Sequence, residues 1–202
     1  MCNVEKIKKA EKYKHKVIYG SAHAFGVQYK GISSTNFGYA SIFSFHATKI
    51  FNTIEGGAVC HKDEKYVQIL DDLKNFRIRN EEYVECIGGN AKMNEFQAAM
   101  GICNLRHIDE EIEMRKKICN HYYSRLSNIN GIKLNNIQKD TVHNYSYFPI
   151  IFNNYKYRRD EVYQKLKNEN IIARKYFYTL TNEFGCYKNV KSIHYNETPI
   201  AK

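Results

Sequence analysis

This chain has no long apolar run and no paired cysteines, and its first residues do not have the apolar stretch expected of a secretory signal. No run approaches the ~20 consecutive apolar residues of a membrane-spanning helix, and three lysines among the first nine residues interrupt any apolar secretory signal. The six cysteines form no CxxC pair, which argues against a zinc site or a disulfide framework. We therefore predict a cytoplasmic protein without a metal, whose thiols are reduced: Cys2, Cys60, Cys86, Cys103, Cys119 and Cys186.

The formal net charge is +10, and strongly basic proteins often bind nucleic acid. Here the basic residues alternate with acids, as in residues 62–65 (KDEK) and 158–161 (RRDE), and no nucleic-acid-binding motif accompanies them. A solvated basic surface is the favoured interpretation, so the chain is predicted to bind neither nucleic acid nor a membrane. A basic nucleic-acid-binding module is the rival hypothesis, and it would require salt-sensitive binding to unrelated duplexes.

The first half of the chain alternates helical and strand patterns. Hydrophobic residues make up 43% of the sequence, with 17 tyrosines and 11 phenylalanines, which is enough to build a core. The order of the patterns predicts an α/β architecture, in which ligands gather at the carboxyl ends of parallel strands. The predicted elements are helices at 3–15 and 64–77, a short buried strand at 17–19, and strands at 40–45 and 57–61.

The second half begins with the strongest helical signal, over residues 93–126. Two apolar stripes predict two helices that meet near residues 106–107, and the first stripe consists of Met93, Phe96, Met100 and Cys103. A turn with a glycine cap follows at 128–131. Beyond it the pattern predicts an α+β unit with strands at 131–137, 145–152 and 171–177 and a helix at 158–169.

One segment, FSFHATKIFNTIEGGA at residues 43–58, contains a lysine in unusual surroundings. Lys49 stands between apolar neighbours, and burying an ammonium is costly unless its pKa falls or the amine reacts. A lysine with a lowered pKa is what Schiff-base chemistry requires. The alternative interpretation of Lys49 is an ordinary surface lysine on a loop.

This segment resembles the lysine region of the DegT/DnrJ/StrS family of pyridoxal-phosphate-dependent sugar aminotransferases. The resemblance implies that Lys49 forms the Schiff base with the cofactor and then transfers a proton. It also implies that Ser44 binds the cofactor's phosphate. The fold it implies is α/β, namely part of the type I (aspartate aminotransferase-like) large domain of pyridoxal-phosphate-dependent transferases, followed by a small α+β C-terminal domain.

A second matching segment, GSAHAFG at residues 20–26, follows the first predicted strand. The resemblance places His23 beside the cofactor ring; the alternative is a histidine that is satisfied in the core or faces solvent. Gly20 departs from the family, which has an aspartate here that keeps the pyridine nitrogen protonated. Losing a charged hydrogen bond of about 1.5–3 kcal/mol predicts roughly 10- to 150-fold slower chemistry.

Two further segments match the family. GGNAKMNEFQAA at residues 88–99 resembles the segment whose asparagine reaches the phosphate in the neighbouring subunit. Asn90 is therefore a predicted phosphate ligand, and the protein a predicted homodimer with shared sites. RKYFY at residues 174–178 resembles the segment that lines the sugar pocket, so the predicted substrate contacts are Arg174, Tyr176 and Tyr178. The alternative for residues 88–99 is an ordinary turn before a buried helix. The alternative for residues 174–178 is an edge strand with exposed aromatics.

The resemblance implies transfer of an amino group from an amino-acid donor, expected to be glutamate, to a keto-deoxysugar nucleotide. Such products serve surface polysaccharide, lipopolysaccharide or deoxysugar biosynthesis. Residues 143–152 and 171–178 are most similar to enzymes that aminate a 3-keto sugar. The alternative is a truncated, catalytically inactive remnant of such an enzyme, as Gly20 indicates.

The resemblance covers essentially the whole chain but only part of the family's fold, so both ends are expected to be truncated. The predicted organisation is the C-terminal part of the cofactor-binding large domain at 1–106, a connecting helix at 107–128 and an incomplete small α+β domain at 129–202.

Overall fold

The fold is taken from a computed structural model, which describes residues 9–10, 12–84, 86–190 and 198. Most of the helix predicted at 3–15 lies outside these residues. The strands are β1 (Ile18–Gly20), β2 (Gln28–Tyr29), β3 (Ile32–Ser33), β4 (Ala40–Ser44), β5 (Gly57–His61), β6 (Ile132–Leu134), β7 (Thr141–Val142) and β8 (Ile150–Phe152). The helices are α1 (Lys65–Lys74), α2 (Glu95–Leu105), α3 (Ile108–Leu126) and α4 (Arg159–Asn168).

The chain divides into two units. The first comprises Met1–Ser124 and Asn136–Phe148, and the second comprises Arg125–Asn135 and Pro149–Lys202. No described helix is long and apolar enough to cross a membrane.

The main sheet of the first unit has the strand order β1-β4-β5. β1 runs parallel to β4, with Gly20 opposite Ile42, and β4 runs antiparallel to β5. Because β1 and β4 point the same way, both end at one edge of the sheet, and the loops that follow them start side by side. The predicted strands at 40–45 and 57–61 are confirmed.

The two faces of this sheet differ in burial. Ser41 and Phe43 lie on one face and are 0% and 6% exposed. Residues alternate between faces along a strand, and the opposite face carries Ile18, Ile42 and Val59, which are 61%, 47% and 47% exposed. In the described part of the chain this face stays open to solvent. The expectation that the first strand is buried is therefore wrong for Ile18.

A second small sheet, which the sequence pattern does not predict, joins β3, β2 and β7. Lys30 and Gly31 connect β2 to β3, and both have a positive φ, 50° and 75°, as in the type I′ turns of tight hairpins. Strands of two residues are too short to produce a recognisable alternation. The β2–β3 hairpin lies within the connection from β1 to β4.

The helices α1 and α2 differ from their predictions mainly at their ends. α1 stops at Lys74, before the predicted end at 77, and Phe76 and Arg77 adopt the left-handed conformation with φ of 57° and 61°. α2 begins after an Asn94 cap, whose Oδ1 accepts from the backbone N–H of Gln97 at 2.9 Å. The Gln97 side chain accepts in return from the Asn94 N–H at 3.1 Å, so two free amides of the first turn are satisfied.

α2 and α3 are separate helices that meet at residues 106–107, as predicted. The apolar stripe predicted for α2 is not its buried face, because Phe96 is 86% exposed and Cys103 is exposed as well. The buried residue of α2 is Gly101. A Cβ there would lie 2.9 Å from Thr53 Cγ2. The helix therefore approaches the loop between β4 and β5 through its smallest residue.

In the second unit, β6 and β8 pair antiparallel, with Ile132 opposite Phe152. Both strands are shorter than the predicted strands at 131–137 and 145–152. The turn before β6 has the expected glycine, since Gly131 has a φ of +83°.

The strand predicted at 171–177 is wrong, because these residues are described and form no strand. Aromatic and β-branched residues favour strands mainly through packing against neighbouring strands. This segment contacts α4 instead, with Lys175 Nζ 3.0 Å from Asp160 Oδ1.

Gly38 allows a test of the turn that leads into β4. Its φ is +70°, and a Cβ here would lie 2.7 Å from ring carbons of Tyr19 and from the Val17 carbonyl oxygen. We expect Gly38→Ala to lower the free energy of unfolding by about 2–3 kcal/mol, through left-handed strain plus crowding. Gly31→Ala is the control, because Gly31 has φ of +75° but no atom within 4 Å of its Cβ position, and strain alone predicts about 1 kcal/mol. Equal losses in urea unfolding would contradict the packing around Gly38.

Candidate active site

The predicted site residues Lys49 and His23 meet at the edge where β1 and β4 end. Lys49 Nζ lies 3.5 Å from His23 Nδ1, and both residues are half-buried. Ser44 is the last residue of β4, and its Oγ accepts a hydrogen bond from the His46 N–H at 3.4 Å. An amine, an imidazole and a hydroxyl are therefore presented from neighbouring strand ends, where ligands collect in α/β sheets.

Backbone hydrogen bonds close the loop that carries Lys49. The Phe45 N–H donates to the Gly56 carbonyl at 2.8 Å, and the Thr53 N–H donates to the Phe45 carbonyl at 2.9 Å. A tighter turn lies within the loop, where the Lys49 N–H donates to the His46 carbonyl at 2.9 Å. Both the base and the lysine turn of the loop are thus held by main-chain bonds.

Three phenylalanines anchor the loops beneath the site. The rings of Phe25 and Phe51 stack with centroids 4.3 Å apart, and Phe45 meets Phe51 edge-on at 4.9 Å. Phe51 is only 5% exposed. Aromatic contacts of this geometry add stabilisation beyond the area they bury, so the cluster ties the loop after β1 to the loop after β4.

Asn144 positions His23, a role that the sequence did not reveal. Its side chain is 1% exposed, and its Nδ2 donates to the carbonyls of His23 and Phe25 at 2.9 and 2.8 Å. Its Oδ1 accepts from the Ser146 hydroxyl at 2.9 Å, so both ends of the amide are satisfied. Tyr147 then meets the His23 ring edge-on, with centroids 4.9 Å apart. In the sequence, Asn144 is a polar residue just before the strand predicted at 145–152, and nothing local links it to His23.

Burial lowers the pKa of the His23 imidazole, and the positive charge of Lys49 lowers it further. The folded protein therefore favours the neutral imidazole. Because the folded-state pKa lies below the unfolded value of about 6.5, the resulting stabilisation is complete above that value and is lost as the pH falls through the folded-state pKa. At pH 7 and above, His23 is a neutral base beside Lys49 Nζ.

His46 and Glu55 form a polar pair at the outer rim of the lysine loop. His46 Nδ1 lies 3.0 Å from Thr48 Oγ1, and its Nε2 lies 3.5 Å from Glu55 Oε1. Both side chains are exposed, at 48% and 65%. Exposed pairs of this kind stabilise a fold only weakly, so the pair contributes little to holding the loop.

Asn90 lies in a different part of the first unit, in the loop between α1 and α2. It is exposed and forms an antiparallel bridge with Asn75. No hydrogen bond in the described part of the chain joins Asn90 to Ser44 or Lys49. Within one copy, Asn90 is thus not brought to the Lys49–His23 pair.

The predicted substrate contacts Arg174, Tyr176 and Tyr178 belong to the second unit. Tyr176 and Tyr178 are 55% and 60% exposed. The guanidinium of Arg174 lies 5.4 Å from the centre of the Phe177 ring, and that of Arg159 lies 4.5 Å from the Tyr178 ring. The segment therefore presents exposed rings flanked by cations.

Asp160 holds two cations of this unit, Arg159 and Lys175. It lies 2.8 Å from Arg159 Nε and 3.0 Å from Lys175 Nζ. The hydrogen bonds from Arg159 and Lys175 lower the pKa of Asp160 to about 2, so the carboxylate stays ionised in ordinary buffers.

Comparisons with known proteins identify relatives of this chain. A sequence model described as the DegT/DnrJ/EryC1/StrS aminotransferase family matches residues 1–202. The dTDP-4-amino-4,6-dideoxy-D-glucose transaminases of Shigella dysenteriae and Escherichia coli are each 40% identical, over 185 and 204 residues. The matches cover 91% and 99% of this chain but 50% and 55% of those proteins. The chain thus spans about half the length of the curated relatives it matches.

Solved structures agree with the fold. DesI, solved in the presence of its TDP-sugar product, is 29% identical with a TM-score of 0.83. The match covers 94% of this chain and 49% of DesI. The predicted fold class, an α/β type I fold of pyridoxal-phosphate-dependent transferases, is confirmed.

The contact between Lys49 and His23 predicts how the imidazole titrates. Lys49→Met removes the charge while retaining most of the side-chain volume, so we expect the pKa of His23 to rise. NMR titration of the histidine ring protons measures this change. Lys62→Met, at an exposed lysine, is the control and should leave the pKa of His23 unchanged. An unmoved pKa in Lys49→Met would contradict the 3.5 Å contact.

Proposed function

Because the chain belongs to the DegT/DnrJ/EryC1/StrS aminotransferase family, we propose that it transfers an amino group to a nucleotide-linked keto-deoxysugar. Pyridoxal phosphate is the cofactor that the family implies, and an amino acid, glutamate, is the proposed donor. The observation that carries the proposal is the 3.5 Å contact between Lys49 Nζ and His23 Nδ1 at the ends of parallel strands.

The side chains at this edge fit pyridoxal phosphate by their chemistry. The aldehyde of the cofactor requires a reactive amine, which Lys49 supplies, and its phosphate requires hydrogen-bond donors, among which is the Ser44 hydroxyl. Gly20 leaves room at the end of β1, since a Cβ there would meet no atom within 4 Å. When bound, the cofactor supplies the electron sink that transamination requires.

The residues of the chain then divide the remaining tasks. Lys49 Nζ would hold the cofactor covalently, and the same amine, once free, would accept and return a proton. His23 stays neutral, through burial and the charge of Lys49, and would lie beside the cofactor ring as an uncharged imidazole. Asn144 holds the His23 carbonyl at 2.9 Å, so the backbone that carries the imidazole is fixed before any ligand enters.

The relatives narrow the proposed substrate. The Shigella and Escherichia proteins are named for a dTDP-linked 4-amino-4,6-dideoxyglucose, and DesI was solved with a TDP-sugar. We therefore propose a nucleotide-linked 4-keto sugar, in place of the 3-keto sugar that the sequence favoured. Its product would serve deoxysugar or surface polysaccharide synthesis. The proposed contacts to this substrate are Arg174, Tyr176 and Tyr178.

The proposal includes the assembly and the location. Asn90 would complete the phosphate site of a second copy, so the working unit is a homodimer. The large domain would span 1–106, the connecting helix 107–128 and the small domain 129–202. The cysteines in the described part of the chain are free thiols, which agrees with a cytoplasmic enzyme.

The proposed function is tested by titrating the purified chain with pyridoxal phosphate, followed by borohydride reduction and peptide mapping. We expect a single adduct on Lys49, because its amine is half-buried beside a neutral base. Lys49→Ala should abolish the adduct, and Lys62→Ala should retain it. Adducts spread over many lysines, or an unchanged yield in Lys49→Ala, would sink the assignment.

A protein that binds the cofactor without turnover is the second candidate, and Gly20 favours it. Gly20 ends β1 opposite Ile42, at the position where the family has an aspartate. In the described part of the chain no carboxylate hydrogen-bonds or ion-pairs with Lys49 or His23. The ring nitrogen of the cofactor would then lack its anionic partner.

Gly20→Asp separates the two candidates. The space around Gly20 admits a side chain, and a regained charged hydrogen bond predicts a roughly 10- to 150-fold faster amino-transfer step. The rate is measured by cofactor absorbance after mixing with glutamate. Gly20→Asn has the same size without the charge and should gain less. A wild-type rate equal to that of Gly20→Asp would show that Gly20 costs the enzyme nothing.

A further inference from the structure

The last turn of α1 contains a buried carboxylate surrounded by donors. Asp72 is 5% exposed, and Gln68 Nε2 donates to its Oδ1 at 2.6 Å. Arg79 Nε and Arg77 Nη1 donate to its Oδ2 at 3.2 and 3.4 Å. The hydrogen bond from Gln68 lowers the pKa of Asp72 most, and the hydrogen bond and positive charge of Arg79 lower it further. A carboxylate with this many partners is ionised and ordered.

The two arginines come from the loop that follows α1, called the 75–92 loop, of which residues 75–84 and 86–92 are described. Phe76 and Arg77 at its start are both left-handed, with φ of 57° and 61°. Such residues persist only where their surroundings fix them. Two main-chain hydrogen bonds help to fix this conformation. The N–H groups of Asn75 and Arg77 both donate to the Asp72 carbonyl, at 3.0 and 2.8 Å.

The far end of the same loop returns to the same helix turn. The Gly89 N–H donates to the Leu73 carbonyl, and the Ala91 N–H donates to the Lys74 carbonyl, each at 2.9 Å. Asn90 lies between these two donors. Gly88 packs so closely on the start of the loop that a Cβ would lie 2.6 Å from the backbone of Phe76 and Arg77. The position of Asn90 therefore depends on how the start of the loop is held.

We propose that Asp72 is a positioning residue that holds the 75–92 loop through Arg77 and Arg79 and thereby presents Asn90 to the cofactor's phosphate. This inference rests on the proposed function, in which Asn90 binds that phosphate. Asp72 itself would touch neither cofactor nor substrate. Its neighbour Asp71 offers a matched comparison, because it is 59% exposed and pairs only locally with Lys74, at 2.7 Å.

The test compares Asp72→Asn with Asp71→Asn, which remove the same charge one residue apart. Binding of pyridoxal phosphate and of pyridoxal, which lacks the phosphate, is measured by absorbance titration. We expect Asp72→Asn to weaken pyridoxal phosphate about tenfold, the loss typical of one charged hydrogen bond, and to leave pyridoxal unchanged. Asp71→Asn should change neither. Amide hydrogen exchange at Gly89 and Ala91 should accelerate in Asp72→Asn alone.

Asn90→Ala provides the coupling test. If Asp72 acts through Asn90, then Asp72→Asn causes no further loss of pyridoxal phosphate once Asn90→Ala is in place. Arg79→Gln is the milder variant should Asp72→Asn fail to fold, because Arg79 is 48% exposed. It should weaken pyridoxal phosphate by a smaller factor and again spare pyridoxal.

The outcomes separate this inference from the function beneath it. A wild-type chain without an adduct at Lys49 overturns the proposed function and this inference with it. A wild-type chain that forms the adduct, with Asp72→Asn behaving like Asp71→Asn, overturns the inference alone. Equal weakening of pyridoxal and pyridoxal phosphate also overturns it, because a general loss of structure does not discriminate between the two ligands.

Discussion

The parallel pairing of β1 with β4 is the constraint on which the site depends. With Gly20 opposite Ile42, both strands end at one edge, and the bond from the Ser21 N–H to the Ile42 carbonyl at 2.8 Å extends the pairing into the first loop. His23 and Lys49 are 26 residues apart in sequence but follow neighbouring strand ends. An antiparallel arrangement would have sent the two loops to opposite ends of the sheet.

The elements predicted correctly are those with a strong local signal. β4 and β5 have several alternating residues, and the break between α2 and α3 interrupts two separate stripes. Hydrophobic periodicity identifies an element but not its partner, and α2 shows the difference. Its large apolar side chain Phe96 is exposed while Gly101 is buried, because contact with Thr53 requires a small residue. The wrong strand at 171–177 has a similar cause, since none of the described strands pairs with this segment and aromatic residues favour strands mainly through such packing.

The sequence indicated the reactive residues of the site but not the residues that hold them in place. Lys49, Ser44 and His23 stand out because reactive side chains follow strand-like segments. Asn144 does not, since its bond to the His23 carbonyl spans 121 residues and no local pattern encodes that distance. The role of Asp72 could not be predicted for another reason, because an acidic residue on an amphipathic helix is expected to face solvent. In the fold it is buried, and two arginines from the loop after α1, where the chain turns through left-handed residues, donate to it.

The missing carboxylate at position 20 changes the electrostatics of the site as well as its catalytic potential. An aspartate at the end of β1 would offset the charge of Lys49 and raise the pKa of His23 by attraction. With glycine there, the charge of Lys49 stays uncompensated by any carboxylate of the described residues, and the imidazole stays neutral. A half-buried cation without a carboxylate partner favours an anionic ligand. Gly20 therefore removes the anionic partner of the reacting ring while Lys49 and His23 keep their 3.5 Å contact, so binding and turnover must be measured separately in this protein.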